Sequence, residues 1–134
     1  MGFLGPGRKG DGVSYRTYIP KRGDLVHMNF SPSAGHELAD RHYALIISQS
    51  AYNSRAGMAI VCGITSHPRA WPFEVLLPSG LLPDKKGVGP VSSVILADAI
   101  RQIDYRSREM EFVATCPREV IEDVLDKLYT ITEE

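Results

Sequence analysis

Gly23-Asp24-Leu25-Val26-His27-Met28-Asn29-Phe30 opens with a turn pair and then alternates. Val26, Met28 and Phe30 fall on one side, and Leu25, His27 and Asn29 on the other. That period-two pattern belongs to a strand in a sheet with unequal faces. Pro32 ends the strand, which is expected over 24–30. Similar runs follow at Tyr43–Ser48, Met58–Thr65, Phe73–Leu77, Ser92–Leu96, Arg101–Asp104 and Met110–Thr115. Gly63 marks a bulge or a close approach of backbone within its run. Between the runs lie a polar loop over 31–42, a turn-rich connection over Tyr52–Gly57, and a loop over Ser66–Pro72. The segment Pro78–Pro90 holds three Gly and three Pro and reads as a further loop. One helix is expected, with Pro117 at its first position and Glu119, Glu122 and Asp123 near its start. Val120, Ile121, Val124, Leu125 and Leu128 give it a single apolar stripe. Many strands followed by one amphipathic helix predict a mainly β, α+β domain: a curved antiparallel sheet or small SH3-like barrel with a C-terminal helix.

The chain has 134 residues, 43% of them hydrophobic and 23% charged, which suits one domain with a real core. Residues 1–17 are glycine-rich and read as a flexible tail, leaving 18–134 as the domain. No apolar run reaches the length of a bilayer span, and the start lacks the apolar segment of a secretory signal. Cys62 and Cys116 stand among apolar residues and are expected as two buried, reduced thiols, consistent with a cytoplasmic protein. The formal net charge is −1, so a nucleic-acid site would have to be a local patch.

Three polar groups stand at the ends of apolar runs: Glu37–His42, Thr65-Ser66-His67 and Asp98–Arg101. A barrel would bring them to one rim. Together they offer a carboxylate (Glu37), cations or imidazoles (Arg41, His42, His67, Arg69, Arg101) and hydroxyls (Thr65, Ser66), with no plausible metal set and no implied cofactor. A carboxylate base, a cation and hydroxyl donors are what cleavage of RNA by its own 2′-hydroxyl requires. Plain readings stand beside this one. Glu37 and Arg41 also fit a solvated surface pair, and Thr65 and Ser66 fit turn residues. His27 alternates with apolar neighbours and reads as structural, and His67 before Pro68 as exposed. Trp71 fits either core cover or a stacking platform for an unstacked base.

Longer matches narrow the choice. Ile19–Val26, Phe30-Ser31-Pro32, Gly35-His36-Glu37, Ala44–Ser48, Tyr52-Asn53, Ile64-Thr65-Ser66, Trp71–Val75, Val94–Asp98 and Ile100–Asp104 resemble, in order, the MazF/PemK (Kid) toxins of bacterial toxin–antitoxin pairs. The resemblance covers the chain from about residue 18 onward. It implies a homodimer of compact barrel-like subunits. It also implies a metal-independent, sequence-specific endoribonuclease that cuts single-stranded mRNA, leaving 2′,3′-cyclic phosphate and 5′-hydroxyl ends. An antitoxin with an acidic, disordered tail would cover the RNA groove and fold on binding. Among its relatives in fold are toxins that poison DNA gyrase without cutting RNA, the alternative function for this chain; a binding module without catalysis is a third.

The family's acidic position falls on Glu37, its hydroxyl on Thr65 with Ser66 beside it, and its later cations on Arg101 and Arg108. The RNA-contacting set implied is Phe30, Ser66, His67, Arg69, Trp71, Arg101 and Arg108. One segment departs from the pattern. Where the family carries Arg-Pro before the second strand, this chain reads His42-Tyr43, with Arg41 one place earlier. Arg41 could serve after a small backbone shift, His42 could serve as a pH-sensitive imidazolium donor or as the acid for the leaving 5′-oxygen, or the site could be weakened. Arg41 is preferred here because its charge does not depend on pH. Ala99 stands where the family often has Gln, which bears on base reading.

Overall fold

The computed structural model describes residues 18–29, 41–83 and 92–133, with Arg41 by its backbone alone. Among these residues one six-stranded antiparallel sheet is formed by β1 (Asp24–Asn29), β2 (Arg41–Ile46), β3 (Ala59–Thr65), β4 (Glu74–Leu77), β5 (Ser93–Ile103) and β6 (Glu111–Thr115). The strand order is β4-β5-β3-β2-β1-β6. The sheet curls into a half-barrel, and two helices accompany it, α1 (Ser50–Ala56) and α2 (Arg118–Thr132). This is the mainly β architecture with a C-terminal helix that the sequence predicts.

The sheet carries a core on each face, and in β1 Leu25, Val26 and Met28 are buried while His27 and Asn29 are half-buried. Leu25, Leu45, Cys62 and Ile95 lie in one cluster, closed by Val120 and Val124 of α2. Val26, Met28, Ala44, Ile46, Val61 and Ile103 lie in the other, closed by Tyr105 and Met110. A strand buried on both faces needs apolar residues at every position, hence the unbroken run Ala44-Leu45-Ile46-Ile47. Each such side chain contributes roughly 1.5–3 kcal/mol by leaving water.

Two polar knots fix the start of the chain to this core. Tyr18 Oη donates to Asp24 Oδ2 at 2.5 Å, and the Lys21 amide donates to the same oxygen at 3.1 Å. Gly23 sits between them at φ +98°, and a Cβ there would lie 2.9 Å from Ile121 Cδ1 of α2. The positive φ favours glycine, and any side chain there would also have to displace the tip of Ile121. The second knot is Asn53, fully buried in α1. Its Nδ2 donates to the Pro20 carbonyl at 2.7 Å and the Ser48 carbonyl at 3.2 Å, and its Oδ1 accepts from Ser48 Oγ at 2.5 Å. Its own carbonyl accepts from Tyr105 Oη at 2.9 Å.

Four expectations change. The Tyr52–Gly57 connection is largely helix α1, which ends on Gly57 at φ 68° in the left-handed region. Arg41 and His42 belong to β2, not to the preceding loop. The two short strands at 92–96 and 101–104 are one eleven-residue strand, so Asp98–Arg101 is not a strand end. This strand changes register against β3: Ile64 pairs with Ile95, but Cys62 pairs with Ile100. The bulge expected at Gly63 is this irregularity, with the extra residues taken up by β5. Finally, Pro117 caps α2 in extended conformation instead of being its first helical residue. The proposed tail at 1–17 lies outside the described residues. Among those described, no helix is long and apolar enough to cross a membrane.

Candidate functional site

Strand pairing gathers several of the expected site residues at one end of the sheet. Asn29 ends β1 opposite Arg41, and Met28 pairs with His42. On the β2–β3 ladder Ala44 pairs with Gly63. Two residues further along each strand stand His42 and Thr65. Thr65 in turn pairs with Val94, near the start of β5. Side chains alternate across a strand, so His42 shares the face of Ala44 and Ile46, and Thr65 the face of Gly63 and Val61. These are one and the same face. Arg108 joins this end from the β5–β6 connection: its Nη1 donates to the Asn29 carbonyl at 3.2 Å, and the Asn29 amide donates to the Arg108 carbonyl at 3.1 Å.

Arg101 is placed differently. It pairs with Val61, four residues back along β3 from Thr65, or about 13 Å at strand rise. It shares the face of Ile103 and therefore of Thr65, but stands deeper along the sheet. Phe30 and Glu37 lie outside the described residues, as does the Arg41 side chain. The segment that carries Phe30 and Glu37 departs from Asn29 and returns at Arg41, at the same end of the sheet as Thr65.

The loop after β3 is held by short contacts. The His67 amide donates to Thr65 Oγ1 at 3.1 Å, and Ser66 Oγ lies 3.4 Å from His67 Nδ1. The Arg69 amide donates to Glu74 Oε2 at 2.9 Å, and the Glu74 amide to the Trp71 carbonyl at 3.0 Å. Ala70 adopts φ 60°, a left-handed conformation that costs a non-glycine residue roughly 1–2 kcal/mol. The indole that follows is fixed: Trp71 Nε1 donates to Asp98 Oδ2 at 2.8 Å, and its ring sits 5.6 Å from that of Phe73. Trp71 remains 48% exposed, so it is not core cover. His67 is exposed, as its place before Pro68 predicts. Arg69, Trp71, Leu96, Asp98 and Ala99 line a concave surface there. Asp98 had no assigned role from sequence. Its signal is an acid between Ala97 and Ala99 in an otherwise apolar run, at the point where β5 shifts register.

Neither cysteine offers a nucleophile. Burial, reinforced by the Asp98 carboxylate, pushes the Cys62 thiol up to about 12. Burial, reinforced by Glu119, pushes Cys116 up to about 11. Both are buried free thiols, as expected, and protonated at neutral pH.

Comparison with known proteins identifies the family. The family described as PemK-like, MazF-like toxin of type II toxin-antitoxin system matches residues 21–132. The endoribonuclease toxin MazF of Escherichia coli (strain K12) is 35% identical over 91 residues, covering 68% of this chain and 74% of the relative. The endoribonuclease toxin ChpB of the same organism is 31% identical over 117 residues, covering 84% and 94%. Among solved structures, a MazE-MazF crystal structure from Deinococcus radiodurans superposes with a TM-score of 0.71 at 40% identity, covering 85% of this chain and 96% of the other.

Proposed function

The chain belongs to the PemK-like, MazF-like toxins of type II toxin–antitoxin systems, and we propose that it is the endoribonuclease of such a pair. Its named relatives are endoribonuclease toxins. The observation that carries the reading is the meeting of His42, Thr65 and Arg108 at the sheet end from which residues 30–40 depart. Substrate is single-stranded mRNA. Glu37 takes the proton of the 2′-hydroxyl, and the 2′ oxygen attacks the adjacent phosphorus. The bond from phosphorus to the 5′ oxygen of the next nucleotide breaks. A 2′,3′-cyclic phosphate remains on one fragment and, once that oxygen gains a proton, a 5′-hydroxyl on the other.

A cation must hold the phosphate as its charge grows. Charge alone favours Arg41. The face that His42 shares with Thr65 supports His42 instead, and we assign it this role. Thr65 donates its hydroxyl to a phosphate oxygen. Ser66, His67, Arg69, Trp71, Arg101 and Arg108 hold the flanking nucleotides, together with Phe30. Residues 18–134 act as the toxin domain, behind a tail at 1–17, as a cytoplasmic homodimer. An antitoxin with an acidic, disordered tail follows the RNA groove in place of the phosphate chain.

The test is incubation of the purified protein with a long RNA in EDTA. Discrete fragments ending in cyclic phosphate are expected, and Glu37→Ala should abolish them. Intact RNA with the wild-type protein would overturn the reading and favour a toxin that acts on a protein target.

A further inference from the structure

Trp71 combines an exposed ring with a fixed position. Its indole N–H is held by Asp98, its ring packs on Phe73, and its carbonyl accepts from the Glu74 amide. The strand behind it is held in turn, since the Ala97 amide donates to the Phe73 carbonyl at 2.9 Å. An aromatic face presented in this way loses little freedom on binding, which favours stacking of an unpaired base. The concave surface around it holds two further polar groups, Arg69 and Asp98. Ala99 lies at its margin, two residues before Arg101 on β5.

We propose that this groove is a nucleobase subsite selective for bases that carry an exocyclic amino group, with Trp71 as stacking platform and Asp98 as the reader of the base edge. The proposal rests on the ribonuclease reading above. A carboxylate accepts hydrogen bonds and donates none. One Asp98 oxygen takes the indole N–H at the edge of the ring, so a base laid on the ring brings its own edge to the other oxygen. Cytosine presents an amino group there, which donates to the carboxylate. Uracil presents a carbonyl at the same position, which is repelled. The two pyrimidines stack alike, so the difference between them isolates the role of Asp98. Adenine carries an amino group at the corresponding position and is accepted. Arg69 holds the phosphate beside the bound base.

The chain has a single tryptophan, so its fluorescence reports the subsite directly. The probes are short 2′-O-methyl oligo(C) and oligo(U), which lack the nucleophile and stay uncut. Oligo(C) should quench the indole and bind about fivefold more tightly than oligo(U). Asp98→Asn keeps an oxygen for the indole N–H and offers an amide donor to uracil O4, so the preference should invert. Arg69→Ala should weaken both probes alike and leave their ratio unchanged. Equal affinity for the two probes, absence of binding, or an unchanged ratio in Asp98→Asn would each overturn the subsite. Cleavage of a long RNA, run in parallel, separates the two ideas: cutting without cytosine preference refutes the subsite alone, whereas selective binding without cutting refutes the nuclease.

Discussion

Asn53 shows how much one side chain can hold. It ties the lead-in at Pro20 to Ser48 just after β2, while the backbone carbonyl of the same residue accepts from Tyr105 Oη. Asn53→Ala should cost about 2–4 kcal/mol in urea unfolding, because buried carbonyl groups lose their donor. Asn53→Asp should cost more, since a carboxylate cannot donate to Pro20 or Ser48 and would be a buried charge. Cys62 gives a pH prediction. Its thiol has an ordinary value of 9.0 and is raised to about 12 in the fold, so the unfolded chain ionises first as pH rises. The resulting stability is complete below pH 9.0 and is lost as pH climbs from there through about 12. Urea midpoints measured across that range should fall, and the fall should be shallower in Cys62→Ala. Both residues are visible in the sequence as types. Their partners are not: Asn53 reaches 33 positions back to Pro20 and Tyr105 reaches 52 back to Asn53, and no local pattern records such a distance.

Strand β2 makes its own prediction. If His42 holds the phosphate from the face of Thr65, then His42→Ala should lose about a hundredfold in cleavage rate, and more than Arg41→Ala at equal stability. The reverse order would return the role to Arg41. The helix α2 predicts stability: Val124 is fully buried beneath it, and Val124→Ala should cost roughly 1–2.5 kcal/mol by thermal melting, against under about 0.5 kcal/mol for exposed Asp126→Ala. Elements with strong periodicity were legible in the sequence. The α2 stripe and the β1 alternation both follow from burial against a core, and burial leaves a pattern. The two misread elements lack one. α1 is seven residues long and has only Asn53 buried, so nothing apolar recurs at helical spacing. β5 is interrupted by Asp98-Ala99, which reads as a break, because the register shift against β3 is made with polar and small residues. The site was legible as residue types at strand ends. That His42 lies within a strand, and Arg101 deep along one, required the pairing itself.

At the scale of the molecule, a net charge of −1 supplies no overall attraction for RNA, so on the proposed reading affinity comes from local cations and from stacking. Affinity for a single strand should fall with salt in proportion to the phosphates contacted, with a slope of about −0.7 per contact. Arg69→Ala, Arg101→Ala and Arg108→Ala should each make that slope shallower by about 0.7, measured by titration across salt concentrations. A slope unchanged in all three would place the phosphate path elsewhere. The two cores bear on something different again. They are built mainly by β1, β2, β3, β4, β5 and α2, and the connection at 66–72 contributes no buried residue to either. That connection is nonetheless anchored at Thr65, at Glu74 and through Phe73 to Ala97. Sequence drift there is released from the demands of packing, while its two footings stay put. If the groove at Trp71 reads the substrate, such a segment could be exchanged as a cassette, changing what is cut without changing the fold.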